Sequence, residues 1–184
     1  MIEIRRLKKY NPDDLQHIMP GYASAEKYVV AKSETPEQTT ITLQLATLPR
    51  RYVKAWRHSA DDDVRYRRVV AEGLSLGAYD GGALVGIGIA ERRVWNRTLW
   101  VWELGVDKHY RRRGIGRRLV DALADIAKSQ GLRVMVAETQ STNVPAIRFY
   151  RAVGFELDAV DLSYYTNHDA PDGEVALFMK RRVE

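Results

Sequence analysis

A strand, a helix and a second strand in direct succession constrain the fold of this chain more than any other feature. Residues 98–106 and 132–138 are apolar segments of strand length, and the helix predicted over residues 114–130 separates them. Apolar residues recur along that helix at helical spacing, as Ile115, Leu119, Leu123 and Ile126. A short strand–helix–strand connection joins parallel strands, so the pattern predicts a parallel pair.

The segments before this crossover predict antiparallel strands. Residues 74–79 and 83–91 flank Asp80-Gly81-Gly82, which is a strong hairpin turn, and Asn96-Arg97 turns the chain into the strand at 98–106. The sequence therefore predicts an α/β chain of the α+β kind. We expect a mixed, mostly antiparallel sheet with flanking helices, and not a doubly wound sheet.

The two ends of the chain add further elements. A second helix is predicted from Asn143 to Gly154, since Asn143 is a good N-cap and Gly154 a helix terminator. Further segments are predicted as strands at residues 2–7, 39–45, 155–164 and 175–180, as a helix start at residues 11–14, as helix plus loop at residues 50–70, and as a loop at residues 169–173. Residues 20–70 give the weakest pattern.

Composition limits the class of protein. The chain has 184 residues, 45% of them hydrophobic and 29% charged, which predicts a single globular domain over residues 1–184. No apolar run approaches the roughly 20 residues that span a bilayer. The alternating residues 1–6 do not resemble a signal peptide, and there is no cysteine. We expect a cytoplasmic protein without membrane attachment. The histidines lack metal-ligand spacing, so no metal site is expected: His17, His58, His109 and His168.

The net charge of +5 and the isoelectric point of about 9.4 indicate an anionic partner, unless the surface is merely basic and solvated. The partner could be a nucleic acid, a membrane surface or a phosphorylated cofactor. Arginine supplies most of the positive charge, and its planar guanidinium suits bidentate contact with phosphate. The positions of the arginines are therefore more informative than their number.

The junction between the strand ending at Val106 and the following helix has the composition of a phosphate-binding loop. Arginines come first, then Gly114 and Gly116, and then the helix. Helix N-termini carry unpaired N–H groups and a partial positive charge, and glycine lets a pyrophosphate approach the backbone. Neither the dinucleotide fingerprint nor the G-K-[ST] phosphate loop is present here. The alternative is a helix start eased by glycine beside a solvated basic patch.

Arg111-x-x-Gly114-x-Gly116 resembles the R/Q-x-x-G-x-G/A motif of the GNAT superfamily of N-acetyltransferases, and the resemblance extends over residues 74–182. It implies acetyl-CoA as cofactor, two splayed parallel strands, and a β-bulge near Gly105 whose N–H would face the thioester oxygen. The cofactor-binding residues that it implies are Leu104, Gly105, Val106, Arg111, Arg112, Arg113, Gly114, Ile115, Gly116, Arg117 and Asn143.

The segment from Asn143 to Phe155 resembles the second signature of that family, in which N-x-x-A-x-x-F-Y precedes G-F. The resemblance implies that Tyr150 is the general acid that protonates the departing thiolate of coenzyme A. Asn143 would contact the pantetheine arm or cap the helix. The alternative for Tyr150 is a core aromatic side chain.

Acetylation of an amine also requires a base, because alkylamines are protonated at neutral pH. Glu103 is the first candidate, since it lies within an almost wholly apolar strand where burial would raise the pKa of a carboxyl group. The alternative is a salt bridge to Arg133 or Arg148. Glu138 is the second candidate.

A narrower resemblance is to the streptothricin acetyltransferases, which acetylate an amine of a cationic antibiotic. It rests on residues 93–96, 138–140, 143–150, 154–157, 161 and 174–178. It implies an acceptor amine held by acidic and aromatic side chains, with cation–π contact among the interactions. The implied substrate-binding residues are Trp102, Glu138, Asp161 and Tyr164. Glu103 and Tyr165 are further candidates.

The chain departs from these families at Pro145, Ile147 and residues 179–182, and residues 1–73 show no specific match. In this fold the N-terminal part commonly shapes the acceptor side, so a protein or polyamine acceptor stays open. A nucleic-acid binder using residues 111–118 and a non-catalytic coenzyme A binder are the competing classes, although no nucleic-acid motif is present. We expect a small-molecule or peptide amine as partner and no nucleic acid, and a homodimer is compatible with the sequence.

Overall fold

The computed structural model describes residues 1–170 and 173–183. The described chain forms two compact units: a first unit of residues 1–20, 55–137 and 181–183, and a second unit of residues 21–54 and 138–180 without 171 and 172. The helices are α1 (Pro12–Ile18), α2 (Ala60–Ala71), α3 (Ile115–Ser129) and α4 (Val144–Ala152). The strands are β1 (Ile2–Arg6), β2 (Gly21–Glu34), β3 (Thr39–Ala55), β4 (Leu76–Asp80), β5 (Ala83–Arg93), β6 (Thr98–Val106), β7 (Val134–Gln140), β8 (Glu156–Asp161) and β9 (Ala176–Arg182).

The sheet of the first unit has the predicted mixture of antiparallel and parallel pairs. Its strands lie side by side in the order β1, β4, β5, β6 and the first half of β7. The first three pairs are antiparallel, whereas β6 and β7 are parallel, with Thr98 opposite Val134 and Val101 opposite Ala137. The fold class and the parallel crossover predicted from the sequence are confirmed.

The antiparallel pair of β5 and β6 contains a β-bulge. Glu103 lies opposite Ile89, but Val101 lies opposite Ala90, so Trp102 is the extra residue on β6. The bulge expected near Gly105 is therefore three residues earlier in the chain, and Gly105 itself lies in regular register opposite Ile87. A bulge sharpens the local twist and re-aims the side chains around it, so it changes the direction of the strand just before Glu103.

Helix α3 begins and ends as its sequence predicts. Gly114 is the N-cap residue, and the chain turns at Gly131 after the helix. The predicted apolar face is largely buried in the first unit, with Ile115, Leu119 and Leu123 no more than 2% exposed. A further cluster of buried residues gathers α1, α2 and β5 around Leu15, Tyr66 and Ile89.

The second unit differs most from the sequence-based expectation. Residues 21–55 form two long adjacent strands, β2 and β3, so residues 50–55 are strand and not part of a helix with its loop. Most side chains of β3 are exposed or half-buried, and a two-stranded ribbon of this kind needs no continuous apolar face. In the first unit, helix α2 begins only at Ala60, where Ser59 and Asp62 form a capping box.

The C-terminal elements follow the predicted order. Asn143 caps α4 through a hydrogen bond from the Ala146 N–H, and β8 pairs antiparallel with β9. Strand β8 ends at Asp161, so Tyr164 lies beyond the strand in which it was expected. Part of the predicted loop at residues 169–173, namely 171 and 172, lies outside the described residues. None of the helices in the described part of the chain is long and apolar enough to cross a bilayer.

Candidate active site

The end of β6 is fixed to the loop that follows by the carboxylate of Asp107. This buried carboxylate accepts hydrogen bonds from the His109 N–H and from Nε2 of His17, each at 2.8 Å. The hydrogen bond from the His109 backbone, opposed by burial, lowers the pKa of Asp107. The Asp107 N–H donates to the carbonyl of Val85, so strand and loop share one anchored junction.

Two residues of the following loop have left-handed backbone conformations. Arg112 has φ 60° and Gly114 has φ 76°, which turns the chain sharply into α3. Nε of Arg111 donates to the carbonyl of Val106 at 2.9 Å, and the guanidinium of Arg113 donates to the carbonyl of His109. These contacts hold both guanidinium groups against the backbone of the loop, while the two side chains stay exposed.

The N-terminus of α3 has no side-chain cap. The Arg118 N–H donates to the Gly114 carbonyl at 3.1 Å, so the N–H groups of residues 115–117 precede the first intrahelical bond. Arg111, Arg112, Arg113 and Arg117 are all exposed around this end. Uncapped N–H groups, the helix dipole and several guanidinium groups together make a site suited to a phosphate or pyrophosphate.

The backbone of residues 102–106 is paired with β5 on one side, and the recorded pairing of β6 with β7 ends at Val101. Leu104, Gly105 and Val106, which the family resemblance assigns to the cofactor, lie in this part of the strand. Gly105 is tightly covered: a Cβ atom there would lie 2.3 Å from Cγ of Met19. A larger residue at position 105 would therefore require the Met19 side chain to move.

Glu103 accepts a hydrogen bond from a tyrosine of the first unit and lies near a histidine of the same unit. The Tyr66 hydroxyl donates to Oε1 of Glu103 at 2.6 Å, and Nδ1 of His58 lies 3.9 Å from the same oxygen. Burial, together with the charge of Glu103, raises the pKa of Tyr66, so the phenol stays protonated as the donor. Burial lowers the pKa of His58, which keeps the imidazole neutral near pH 7.

The two arginines considered as salt-bridge partners of Glu103 contact other groups. Arg133 donates to the carbonyl of Asn96, and Arg148 forms an ion pair with Glu26. The carboxylate at the bulge of β6 is therefore held by a neutral phenol instead of by either of the proposed arginines. Sequence reasoning missed Tyr66 and His58, because both come from the stretch where it expected helix plus loop.

Trp102 is engaged by side chains of its own unit. Its indole N–H donates to Glu91 at 2.9 Å, and the guanidinium groups of Arg65 and Arg93 lie 4.8 and 5.7 Å from its ring centroid. Arginines of the chain itself thus make cation–π contacts with Trp102, and its contact with an acceptor stays a prediction.

In the second unit, Tyr150 lies on α4 among aromatic side chains. The tyrosine is 8% exposed, and its ring centroid lies 5.8 Å from that of Phe149 and 5.2 Å from that of Phe155. Asn143, at the start of the same helix, accepts from Ala146 and serves as its N-cap. Of its two expected roles, the structure describes capping, and cofactor contact stays a prediction.

Glu138 lies beside two of the tyrosines near the end of β8, and its role in binding an acceptor stays a prediction. The Tyr165 hydroxyl donates to Glu138, and the Tyr165 ring contacts Tyr164 edge to face at 5.2 Å between centroids. Burial, partly offset by Tyr165 and Lys54, raises the pKa of Glu138 to about 6. Asp161 instead accepts from the Ser163 N–H in a local turn.

A second carboxylate of this unit, Glu174, was not predicted as a site residue. It forms an ion pair with Lys54 and accepts hydrogen bonds from three hydroxyl groups. Although burial opposes it, the hydrogen bonds from Lys54 and the hydroxyl groups lower the pKa of Glu174. The hydroxyl donors are those of Tyr22, Tyr52 and Thr142. Within residues 1–170 and 173–183, no group of His, Cys, Asp and Glu side chains has the arrangement of a metal site.

Residues 42–155 match the acetyltransferase (GNAT) family, which is more than half of the chain. The chain belongs to the GNAT acetyltransferase family. The match includes the bulged strand, the arginine and glycine loop, and both family signatures up to Phe155.

Individual relatives share part of the chain. The streptothricin acetyltransferase of Streptomyces lavendulae is 33% identical over 118 residues, which are 64% of this chain and 59% of that protein. Streptothricin acetyltransferase A of Bacillus subtilis is 31% identical over 120 residues, 64% of this chain and 68% of that protein. The N-alpha-acetyltransferase RimI of Mycobacterium tuberculosis is 38% identical over 92 residues, 49% of this chain and 56% of that protein. The chain thus matches less than two thirds of the length of the first and third of these relatives.

Solved structures share the fold over nearly the whole chain. Nourseothricin acetyltransferase is similar with a TM-score of 0.72 and 26% identity, over 100% of this chain and 99% of that one. A Bacillus anthracis protein solved in complex with acetyl coenzyme A is similar with a TM-score of 0.75 and 22% identity, over 99% of this chain and 97% of that one.

Proposed function

We propose that the chain transfers an acetyl group from acetyl-CoA to a primary amine of a cationic small molecule of the streptothricin kind. The uncapped N-terminus of α3, ringed by exposed arginines at the end of β6, is the observation that carries this proposal. Family membership supports the reaction class. The two streptothricin acetyltransferases, at 33% and 31% identity, support the acceptor class.

The residues around α3 fit the pyrophosphate of coenzyme A. The N–H groups of residues 115–117 would bind phosphate oxygens, since no side chain occupies them as a cap. Arg111, Arg112, Arg113 and Arg117 would supply charge, and an added Cβ at Gly114 would meet no other atom, so that turn is open to a ligand. When bound, acetyl-CoA supplies a thioester whose acyl carbon an amine can attack.

We assign two functions to the backbone of β6, namely contact with the cofactor and stabilisation of the oxyanion. Leu104, Gly105 and Val106 are the residues that we assign to contact with the pantetheine arm. The bulge places Trp102 outside the regular β5 ladder, and the extra residue of a bulge has a backbone N–H left over. We assign the oxyanion donor to this bulge and not to Gly105, because Gly105 is regularly paired.

Glu103 is our candidate for the group that removes a proton from the acceptor amine. It is half-buried and acceptor-only when ionised, and Tyr66 fixes its orientation through a 2.6 Å hydrogen bond. Nδ1 of His58, an imidazole whose pKa burial lowers, lies 3.9 Å from the same oxygen. Glu138, whose pKa is raised to about 6, is the second candidate for the base.

Tyr150 is our candidate for the general acid, and the family signature from Asn143 to Phe155 supports that role. Packing against Phe149 and Phe155 holds the ring in one orientation, as a proton donor needs. Tyr150→Phe keeps this packing and removes the proton. It is therefore expected to lower kcat about 10²-fold with less effect on the affinity for acetyl-CoA.

A second acceptor class is favoured by one observation. The N-alpha-acetyltransferase RimI is 38% identical over 92 residues, and this identity favours the α-amine of a peptide as acceptor. A peptide acceptor and a streptothricin-like acceptor both present a primary amine, so one assay measures acetylation of either. The relative rates of acetylation then distinguish the two acceptor classes.

The test is release of free coenzyme A thiol from acetyl-CoA in the presence of streptothricin or of an alanine-initiated peptide. Streptothricin is expected to be acetylated with the higher kcat/KM, and mass spectrometry of the product confirms the transfer. Glu103→Gln should lower kcat/KM by about 10²-fold, whereas Glu37→Gln, on the exposed β2–β3 turn, should leave it unchanged. Faster acetylation of the peptide would replace the first acceptor class by the second.

A further inference from the structure

A group of polar side chains in the second unit lies near the ammonium of Lys54 or is linked to it through Tyr165. We call it the Lys54 cluster and define it as Lys54, Glu138, Gln140, Tyr165 and Glu174. Lys54 comes from the end of β3, Glu138 and Gln140 from the same face of β7, and the other two from the chain between β8 and β9. Three different parts of the unit therefore contribute to one polar cluster.

The contacts of Lys54 show that this place suits an alkylammonium group. Its Nζ forms an ion pair with Glu174 and lies 5.9 Å from the ring centroid of Tyr165. Glu174 is in turn held by hydroxyl groups of Tyr22 at 2.9 Å and Thr142 at 2.6 Å. A carboxylate fixed in this way, beside an aromatic face, is the arrangement that recognises organic cations.

The charges of the cluster do not balance. Glu138 and Glu174 are two carboxylates, and Lys54 is a single ammonium that binds Glu174 directly. Across the described ranges, Glu138 has no lysine or arginine within ion-pair distance, and its close partner is the neutral hydroxyl of Tyr165. Among the described residues, the Glu138 carboxylate thus lacks a direct ion pair, although the charge of Lys54 acts on it from a greater distance.

Gln140 adds a hydrogen-bond acceptor that has no donor. The side chain is only 6% exposed, and its Oε1 has no hydrogen-bond partner in the part of the chain that the structure describes. Tyr165 has one hydroxyl proton and donates it to Glu138, so the hydrogen bond between Gln140 and Tyr165 must come from the amide N–H. The amide oxygen is left over, and an unsatisfied buried acceptor costs about 1–3 kcal/mol.

We propose that the Lys54 cluster binds a primary ammonium group of the acceptor, with Glu138 as its counter-ion and Oε1 of Gln140 as an additional acceptor of its N–H groups. The Lys54 ammonium is then an internal competitor for the same cluster. The inference rests on the proposed function only in assigning the bound ammonium to the acceptor. Neighbouring carboxylates stabilise the charged form of an amine, so the group held here stays protonated and serves recognition.

The test is a titration of the full chain with n-butylammonium chloride in the absence of acetyl-CoA. Binding is measured by calorimetry or NMR. Saturable binding is expected, and n-butanol, a neutral analogue of similar size, should not bind. Glu138→Gln should weaken binding about tenfold, because it removes the uncompensated charge and keeps the shape. Glu37→Gln, an exposed glutamate of the same unit, is the matched control and should bind as the wild type does.

Lys54→Met distinguishes a binding site from a purely structural cluster. Removal of the competing ammonium should tighten n-butylammonium binding about three- to tenfold, whereas damage to the fold would weaken it. Melting temperatures of the three variants establish that each is folded. Binding of n-butanol as strong as that of n-butylammonium, or equal binding by wild type and Glu138→Gln, would overturn the proposal.

A parallel titration with acetyl-CoA distinguishes failure of the ammonium site from failure of the proposed function. A chain that binds acetyl-CoA but not n-butylammonium keeps the proposed reaction and loses the ammonium site. A chain that binds n-butylammonium but not acetyl-CoA keeps the ammonium site and loses the proposed reaction.

Discussion

Glu103 illustrates how a carboxylate is accommodated in an apolar strand. The bulge at Trp102 precedes it, and the phenol of Tyr66 supplies a charge-assisted hydrogen bond at 2.6 Å. A phenol donates a hydrogen bond to one carboxylate oxygen and brings no positive charge, whereas an arginine would neutralise the carboxylate. The carboxylate consequently keeps its capacity to accept a proton.

Tyr66→Phe should destabilise the protein by about 1.5–3 kcal/mol, because it leaves a half-buried carboxylate oxygen without its donor. The measurement is urea-induced unfolding. Tyr79→Phe is the control, since among the described residues the Tyr79 hydroxyl has no hydrogen bond, and it should change stability by less than about 0.5 kcal/mol. Equal losses in both variants would show that the hydrogen bond to Glu103 contributes nothing.

Gly105→Ala should destabilise the first unit by about 1–3 kcal/mol through overpacking, because the new Cβ would lie 2.3 Å from Cγ of Met19. Met19→Ala removes the obstructing atoms. The double variant should therefore lose less than the sum of the two single losses, by about 0.5 kcal/mol or more in unfolding experiments. Strict additivity would contradict the assigned contact.

Binding of n-butylammonium should depend on pH through Glu138. Burial raises the pKa of this carboxyl to about 6, so it is ionised above that pH and neutral below it. The groups that face it are Lys54, Glu174 and Tyr165; Glu174 stays ionised because its pKa is lowered, and Tyr165 stays neutral because burial raises its pKa. Affinity should be full near pH 8 and fall as the pH drops through about 6. The Glu138→Gln variant should show no such step.

Single residues were predictable where their role is local. Asn143 as a cap and Gly114 before a helix follow from neighbours in sequence. Tyr66, His58 and Lys54 could not be assigned, because their partners lie 37 or more positions away and their own segment gave no clear pattern. The one available signal was Glu174, which stands in a segment resembling the streptothricin acetyltransferases but was not chosen.

At the scale of elements, residues 1–18 and the chain after Gly73 were predicted well, and residues 20–70 were not. Strand β6 has the predicted bounds, and α3 differs from its prediction by one residue at each end. These segments are buried on defined faces, so their periodicity is strong. Strands β2 and β3 form a largely exposed ribbon with many charged residues, and such a ribbon lacks the alternation on which prediction depends.

The start of α3 can be tested at this scale. Gly114→Ala should destabilise the protein by about 1–2 kcal/mol, since φ is 76° there and an alanine pays the steric cost of a left-handed conformation. A Cβ at that position would meet no other atom, so the loss reports backbone strain alone. Gly114→Asn should lose clearly less, because asparagine tolerates this region. Thermal unfolding without ligand is the measurement, and equal stability of all three proteins would refute the strain.

For the whole molecule, the family and the fold class are confirmed, whereas several expectations stay predictions. A single domain over residues 1–184, cytoplasmic localisation, a homodimer and the lack of a nucleic-acid partner are among them. The net charge of +5 is compatible with nucleic-acid binding, but its arginines at α3 surround a helix end suited to a compact phosphate ligand. Charge alone does not distinguish these partners, because both are polyanions.

The most direct test of the central claim is the melting temperature of the chain with acetyl-CoA, coenzyme A, ATP and a DNA duplex, for wild type and Gly116→Glu. At about 100 times its dissociation constant, a ligand of the native state adds roughly 2.7 kcal/mol of stability. Acetyl-CoA and coenzyme A are expected to stabilise the wild type, ATP and DNA are not, and Gly116→Glu should abolish the effect. No stabilisation of the wild type by either coenzyme A species, or stabilisation by DNA alone, would contradict the account.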